Sequence, residues 1–260
     1  MTYQIVFLDI DGTILKPDHT YTPETKAAIA EVKAKGLHVF LATGRPIHEI
    51  AGLAEELDVD AFIGYNGAYA VYEGETLVNE PIESNKMTQI LETAEAFDDE
   101  LIMYTNGANY FTDPAHPSAQ NFIDTFQLKH NAKWDPSRIN DVLGATLMRT
   151  ENPLHYEQQD PSLRLAPVTV NGISDSYDIL RKEVNKGQAI NKILKELDIP
   201  KEAAIAFGDG MNDKEMLQSV GAGFAMGNAH PELFQYCTHR TATVTDSGIR
   251  HGLQMLKVIE

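Results

Sequence analysis

Cysteine occurs once, at Cys237, so the chain cannot form an internal disulfide and fits a reducing compartment. A lone cysteine is also a candidate nucleophile, but no histidine signature accompanies it, and a free cysteine is more often a small buried hydrophobe. Basic charge is scarce: 21 Lys and Arg stand against 38 Asp and Glu, a net charge of −17. A field of that sign repels nucleic acid and anionic membranes, so neither is an expected partner. It also repels anionic substrates, unless a bound cation inverts the local field. Long apolar runs are missing; none approaches the roughly 18 residues of a membrane span. The stretch from Met1 to Asp9 has no basic leader, and its apolar run stops at Asp9 and Asp11. The expectation is a cytoplasmic protein with neither signal nor transit peptide. No Gly-X-Gly-X-X-Gly turn follows the first apolar run, which argues against a dinucleotide oxidoreductase. Repeats, low-complexity tracts and flexible linkers are also lacking.

What is present is ordinary globular composition, with 43% hydrophobic and 23% charged residues in 260. Ile5 to Leu8 reads as a buried strand ending in an acidic loop. Thr22 as N-cap, Pro23 at the first helical position and Glu24 in the first turn announce a helix, which Gly36 ends. Leu37 to Ala42 and Ala61 to Gly64 read as strands, with a helix over Ile47 to Leu57 between them. The rhythm returns late: helix Lys186 to Leu197, strand Ala203 to Phe207, helix Asn212 to Val220, strand Gly223 to Met226, a strand at Ala242 to Thr245 and a helix from Gly248. Alternating strands and helices imply an α/β fold with a parallel sheet covered on both faces. The middle has a different texture, with turn signals at Asn106-Gly107, Asp113-Pro114, Asp135-Pro136, Asp160-Pro161 and Asn171-Gly172. It reads as an inserted α+β module over residues 81–182, within a core built from residues 1–80 and 183–260.

In open parallel sheets, ligands bind beyond the carboxyl ends of the strands. There the sequence places Asp9, Asp11 and Gly12, then Thr43, Gly44 and Arg45, then Asn66 and Gly67, then Gly208, Asp209, Asn212 and Asp213, with Lys186 opening a late helix. Clustered carboxylates repel one another without a cation, and hard oxygen donors at an open site favour magnesium. With the field inverted, phosphate can approach the Thr43 hydroxyl, the Gly44 N–H and the Lys186 ammonium. Each feature has a plain structural reading. Asp-X-Asp-Gly is a good turn, Thr43-Gly44 a helix cap, Asn66-Gly67 a tight turn, and Asp213 a first-turn helix acid. The recurrence of the acidic pattern on a second strand favours the chemical reading. So does Lys186, which as a merely solvated residue would oppose the helix dipole.

Phe-Leu-Asp9-Ile-Asp11-Gly-Thr13, Leu-Ala-Thr43-Gly-Arg, Asn-Lys186-Gly and Gly-Asp209-Gly-Met-Asn212-Asp213 resemble, in order and spacing, the four motifs of the haloacid dehalogenase superfamily. The wide gap between the second and third resembles the Cof-type phosphatases, which carry a large α/β cap there. The resemblance implies a Rossmann-like parallel-sheet core with an inserted cap, and a magnesium-dependent phosphatase of small phosphorylated metabolites, sugar phosphates foremost. Asp9 would attack phosphorus and form an aspartyl-phosphate, with Asp11 as general acid and then base. Thr43, Gly44 and Lys186 would hold phosphate, and Asn212 would reach metal or phosphate. Asn66 and Gly67 would face substrate. Asp9, the Asp11 carbonyl and Asp209 would hold magnesium, with Asp213 supporting that shell. The stretch after Ala229, His-Pro-Glu-Leu-Phe-Gln-Tyr, departs from relatives that often carry a lysine there. A sugar phosphomutase on the same chemistry and a non-enzymatic phospho-metabolite sensor are the competing readings. A monomer or a homodimer is equally compatible with the sequence.

Overall fold

The structure, a computed structural model, describes residues 2–168, 170 and 172–260. Asn171 of the Asn171-Gly172 turn signal lies outside the described residues. The chain forms two compact units: residues 1–45, 50–78 and 185–260, and residues 46–49 and 79–184.

The first unit opens with β1 (Ile5–Leu8), α1 (Pro23–Ala34), β2 (His38–Ala42), α2 (Ala51–Leu57), β3 (Phe62–Gly64), β4 (Tyr69–Tyr72) and β5 (Glu75–Asn79). Thr22 caps α1 through a bond accepted from the Thr25 N–H at 3.2 Å. The helix expected over Ile47 to Leu57 is broken. Residues 47–49 make a single 3₁₀ turn, and α2 starts at Ala51. The cause is tertiary. Glu49 accepts bonds from Asn109 Nδ2 (2.6 Å) and the Lys129 N–H (2.9 Å), and His48 Nε2 lies 3.0 Å from Asn109 Oδ1. These bonds draw residues 46–49 into the second unit, a segment the sequence reading gives to the core.

The second unit contains α3 (Ser84–Phe97), β6 (Glu100–Tyr104), β7 (Asn109–Phe111), α4 (Pro117–Phe126), β8 (Asn131–Lys133), β9 (Gly144–Met148), α5 (Leu154–Gln159), β10 (Leu163–Pro167) and β11 (Tyr177–Arg181). Its six strands run in the order β10-β11-β9-β6-β7-β8. All pairs are antiparallel except β7 with β8. Leu101 and Met103 pack under α3 and α5, while Ile102 and Phe111 pack with Phe122 of α4.

The chain then completes the first unit with α6 (Lys186–Glu196), β12 (Ala204–Gly208), α7 (Lys214–Gln218), β13 (Ala222–Ala225), β14 (His239–Arg240) and α8 (Gly248–Met255). The strand expected at Ala242 to Thr245 is displaced to His239–Arg240. Instead, Thr243 Oγ1 donates to Asp246 Oδ2 at 2.6 Å and folds residues 244–246 into a turn. The eight-stranded sheet runs β14-β13-β12-β1-β2-β3-β4-β5 and is parallel from β14 to β3. Because successive side chains alternate, β1 sends Val6 and Leu8 to the layer of α1, α2 and α8, and Ile5 and Phe7 to the layer of α6 and α7. Burial on both faces explains why these strands read as continuous apolar runs. β1 sits centrally, with β2 on one side and β12 on the other. The loops leaving these three strands therefore meet at one end of the sheet. Among the described residues no helix is long and apolar enough to cross a membrane.

Candidate active site

Asp9 follows directly on β1, its backbone N–H still bonded to the Phe207 carbonyl of β12 at 3.0 Å. Lys186, the first residue of α6, is completely buried and donates to Asp9 Oδ1 and to Asp213 Oδ1, both at 2.6 Å. An ammonium at a helix N-terminus opposes the dipole, and burial opposes it further. The two carboxylates outweigh both effects. Burial alone would lower the Lys186 pKa, but Asp213 and Asp9 raise it above the ordinary lysine value.

Asp213 is equally buried, and both its oxygens are engaged. Oδ1 accepts from Lys186, and Oδ2 accepts the N–H groups of Asp209 and Gly210, each at 3.0 Å. It shapes the loop that carries Asp209 and anchors the lysine. Asp209 lies beside them, and oxygens of Asp9, Asp209 and Asp213 fall within 4.8 Å of one another. Gly12 permits this approach. Its φ is +83°, and a Cβ there would stand 2.1 Å from Asp209 Oδ2.

Three carboxylates facing one ammonium leave the cluster short of positive charge. Burial, then the charge of Asp213, push Asp9 well above the usual carboxylate range. The same two causes raise Asp209 to about 7. An excess of hard oxygen donors whose ionised form is disfavoured until a cation arrives fits a divalent metal. Asp9 and Asp209 retain oxygen lone pairs beyond the bonds they accept from Lys186 and Asn228. Asp213 is committed elsewhere, which favours a supporting place for it.

Asp11 lies outside this cluster. Its carboxylate is gripped by Arg45, Nε to Oδ2 at 2.7 Å and Nη2 to Oδ1 at 2.5 Å, and about half of its side chain is exposed. Only its backbone carbonyl is left as a metal donor. Thr43 is buried, and its Oγ1 accepts the Arg45 N–H at 3.0 Å, which leaves the hydroxyl proton free to donate. Asn66 accepts a bond from Asn212 Nδ2 at 3.1 Å and packs on Gly44. Gly67 is buried against the Asn185 carbonyl. The structure therefore gathers Asp9, Lys186, Asp209 and Asp213 in one knot. Asp11 adjoins it through the short loop after β1, and Thr43, Gly44, Asn66 and Asn212 form a second linked group.

Two residues of the site went unassigned in the sequence reading. Arg45 was visible in Thr-Gly-Arg, but its pairing with Asp11 was not. Asn228 bridges the Gly12 carbonyl (2.8 Å) and Asp209 Oδ2 (3.4 Å), and its Oδ1 accepts the Val244 N–H at 2.8 Å. Its place beyond the carboxyl end of β13 was the signal.

The family model for haloacid dehalogenase-like hydrolases matches residues 6–253. The chain belongs to that family. Within the haloacid dehalogenase-like hydrolases it is a Cof-type phosphatase. YkrA of Bacillus subtilis (strain 168) is 28% identical over 262 residues, with 100% of both chains covered. The HMP-PP phosphatase of Klebsiella pneumoniae (strain 342) is 29% identical, covering 88% of this chain and 86% of its own. A crystal structure of a hypothetical protein from Geobacillus kaustophilus HTA426 superposes with a TM-score of 0.89 at 32% identity, covering 99% of this chain and 100% of that one.

Proposed function

We propose that this phosphatase hydrolyses phosphate monoesters of small metabolites, sugar phosphates foremost, with magnesium and through an aspartyl-phosphate on Asp9. The observation that carries the reading is the Asp9–Lys186–Asp213 knot with Asp209 beside it, at the carboxyl ends of β1 and β12.

Lys186 holds Oδ1 of Asp9 and fixes the carboxylate, leaving Oδ2 to attack phosphorus. As the new O–P bond forms, the bond from phosphorus to the leaving oxygen breaks, and Asp11, released by Arg45 and protonated from solvent beforehand, delivers that proton to the leaving oxygen. Asp11, now a carboxylate, takes a proton from water. The resulting hydroxide attacks the phosphorus of the aspartyl-phosphate, which restores Asp9 and releases inorganic phosphate. Arg45 frees Asp11 for this exchange by giving up the bidentate pair seen here. Thr43 Oγ1, the Gly44 N–H and the Lys186 ammonium offer donors to the phosphoryl oxygens, with Asn212 at their edge. Asp9, Asp209 and the Asp11 carbonyl would hold magnesium, which when bound supplies the positive charge that this acidic site otherwise lacks. The small-metabolite class is supported by the Cof-type resemblance and by the named substrate of the Klebsiella relative.

The test is hydrolysis of an aryl phosphate with and without magnesium, by wild type and Asp9→Asn. The expected result is a magnesium-dependent rate in wild type and none above background in Asp9→Asn. Equal rates in both proteins would remove Asp9 as nucleophile.

A further inference from the structure

The backbone between β3 and β4 takes positive φ at three successive residues. Tyr65 and Asn66 both have φ near +53°, and Gly67 has φ of +102°. Glycine adopts this region freely and asparagine tolerates it, but a buried tyrosine does so at a cost. Such strain persists only where the surroundings over-determine it.

The surroundings here are the loops that carry the chemistry. The N–H groups of Tyr65 and Asn66 donate to the carbonyls of Arg45 (3.2 Å) and Thr43 (3.1 Å). The Asn66 amide lies so close over Gly44 that a Cβ at 44 would stand 3.0 Å from its Oδ1 and Nδ2. The same amide accepts from Asn212 Nδ2 at 3.1 Å. Gly67 presses on the residue before α6, where a Cβ would meet the Asn185 carbonyl at 2.3 Å and the Lys186 N at 2.9 Å. Asn185 in turn caps α6 through the Gln188 N–H at 2.9 Å. One left-handed turn thus touches the Thr43–Arg45 loop, the start of the helix bearing Lys186, and Asn212.

We propose that Asn66 is a positioning residue whose turn and amide set these three loops in register, and that it acts through Gly44 and Asn212 rather than on substrate. Its catalytic consequence rests on the phosphatase reading above; the structural linkage does not. Asn66, expected with Gly67 to face substrate, has its side-chain oxygen accepting from Asn212 instead.

Asn66→Gly separates the two contributions, because glycine keeps the left-handed turn without strain and deletes only the amide. Wild type and variant are compared without metal by hydrogen exchange and thermal midpoint, and with magnesium by turnover of an aryl phosphate. The expected result is a midpoint equal to or above that of wild type, with faster exchange in peptides spanning residues 41–47 and 208–214, the two segments the amide touches. With it comes a fall in kcat of about tenfold or more at little-changed KM. The Asn66→Gly/Asn212→Ala double variant should lose no more than the worse single variant, as residues acting in one contact do. Unchanged exchange in those peptides would overturn the proposal whatever the turnover. So would a change in KM alone that adds to that of Asn212→Ala, since it would place Asn66 on the substrate. Faster exchange in a protein whose wild type shows no turnover would uphold the linkage and sink the phosphatase reading instead.

Discussion

Asp209 and Asp9 bind protons more tightly in the folded chain than in the unfolded one. An unfolded aspartate titrates near 3.8, whereas burial and then Asp213 bring Asp209 to about 7 and hold Asp9 well above the usual range. For an acid with a raised folded pKa, the contribution to stability is complete below the unfolded value and is lost as pH rises through the folded one. In chelator, the thermal midpoint should therefore fall between about pH 5 and pH 8. Millimolar magnesium should restore it at pH 8 and do less at pH 5, where protons compete for the same oxygens. Scanning fluorimetry with and without magnesium at both pH values checks this. A metal-free midpoint that is flat across the window would mean the cluster lacks the charge excess described above.

Among the elements, α6 carries the heaviest constraint, because its first residue is Lys186 and its second packs backbone to backbone on α7. A Cβ on Gly187 would stand 2.4 Å from the Glu215 carbonyl oxygen. Replacing a helical glycine by alanine ordinarily stabilises by up to about 1 kcal/mol. Here overpacking, typically about 1–3 kcal/mol, should win. Gly187→Ala should lower the urea midpoint and, by displacing Lys186, reduce kcat; a stabilised and fully active variant would refute the argument. Much of this level was legible in the sequence, because elements buried on both faces announce themselves locally. Thr22-Pro23 set the start of α1, and the loops after β1, β2 and β12 could be lined up before any contact was known. What was not legible depends on distant partners. The break before α2 comes from Asn109 gripping Glu49, and the role of Arg45 from a side chain on another loop. The last strand was misplaced because Thr243 and Asp246 bond to each other and turn a β-branched stretch out of the sheet. The loops gathered at the candidate site were legible because each is a short run at a strand end, where glycine and acid types are dictated by what must approach closely.

At the scale of the whole molecule, a net charge of −17 sets a field that opposes an anionic substrate. With magnesium saturating, kcat/KM for a phosphate monoester should rise about 2–5-fold between roughly 10 mM and 150 mM salt, because screening weakens long-range repulsion more than contacts inside the site. Stopped assays across that range decide it. A fall with salt would mean that the site's own cations dominate the approach.

The central strand of the large sheet also imposes a timetable. β1 pairs with β2 early in the sequence, but its other neighbour is β12, and Ile5 lies beside Ala204. A ribosome making roughly 5–20 residues per second needs on the order of 10–40 s to cover that interval. Throughout it one edge of β1 stays open, and for most of it Ile5 and Phe7 lack the cover of α6 and Asp9 waits for Lys186. The second unit, drawn almost entirely from residues 79–184, is synthesised in full before the first can close. When the last residue of the insert is added, the sheet still lacks β12, β13 and β14, and the surroundings of Asp9 are among the last parts of the protein to exist.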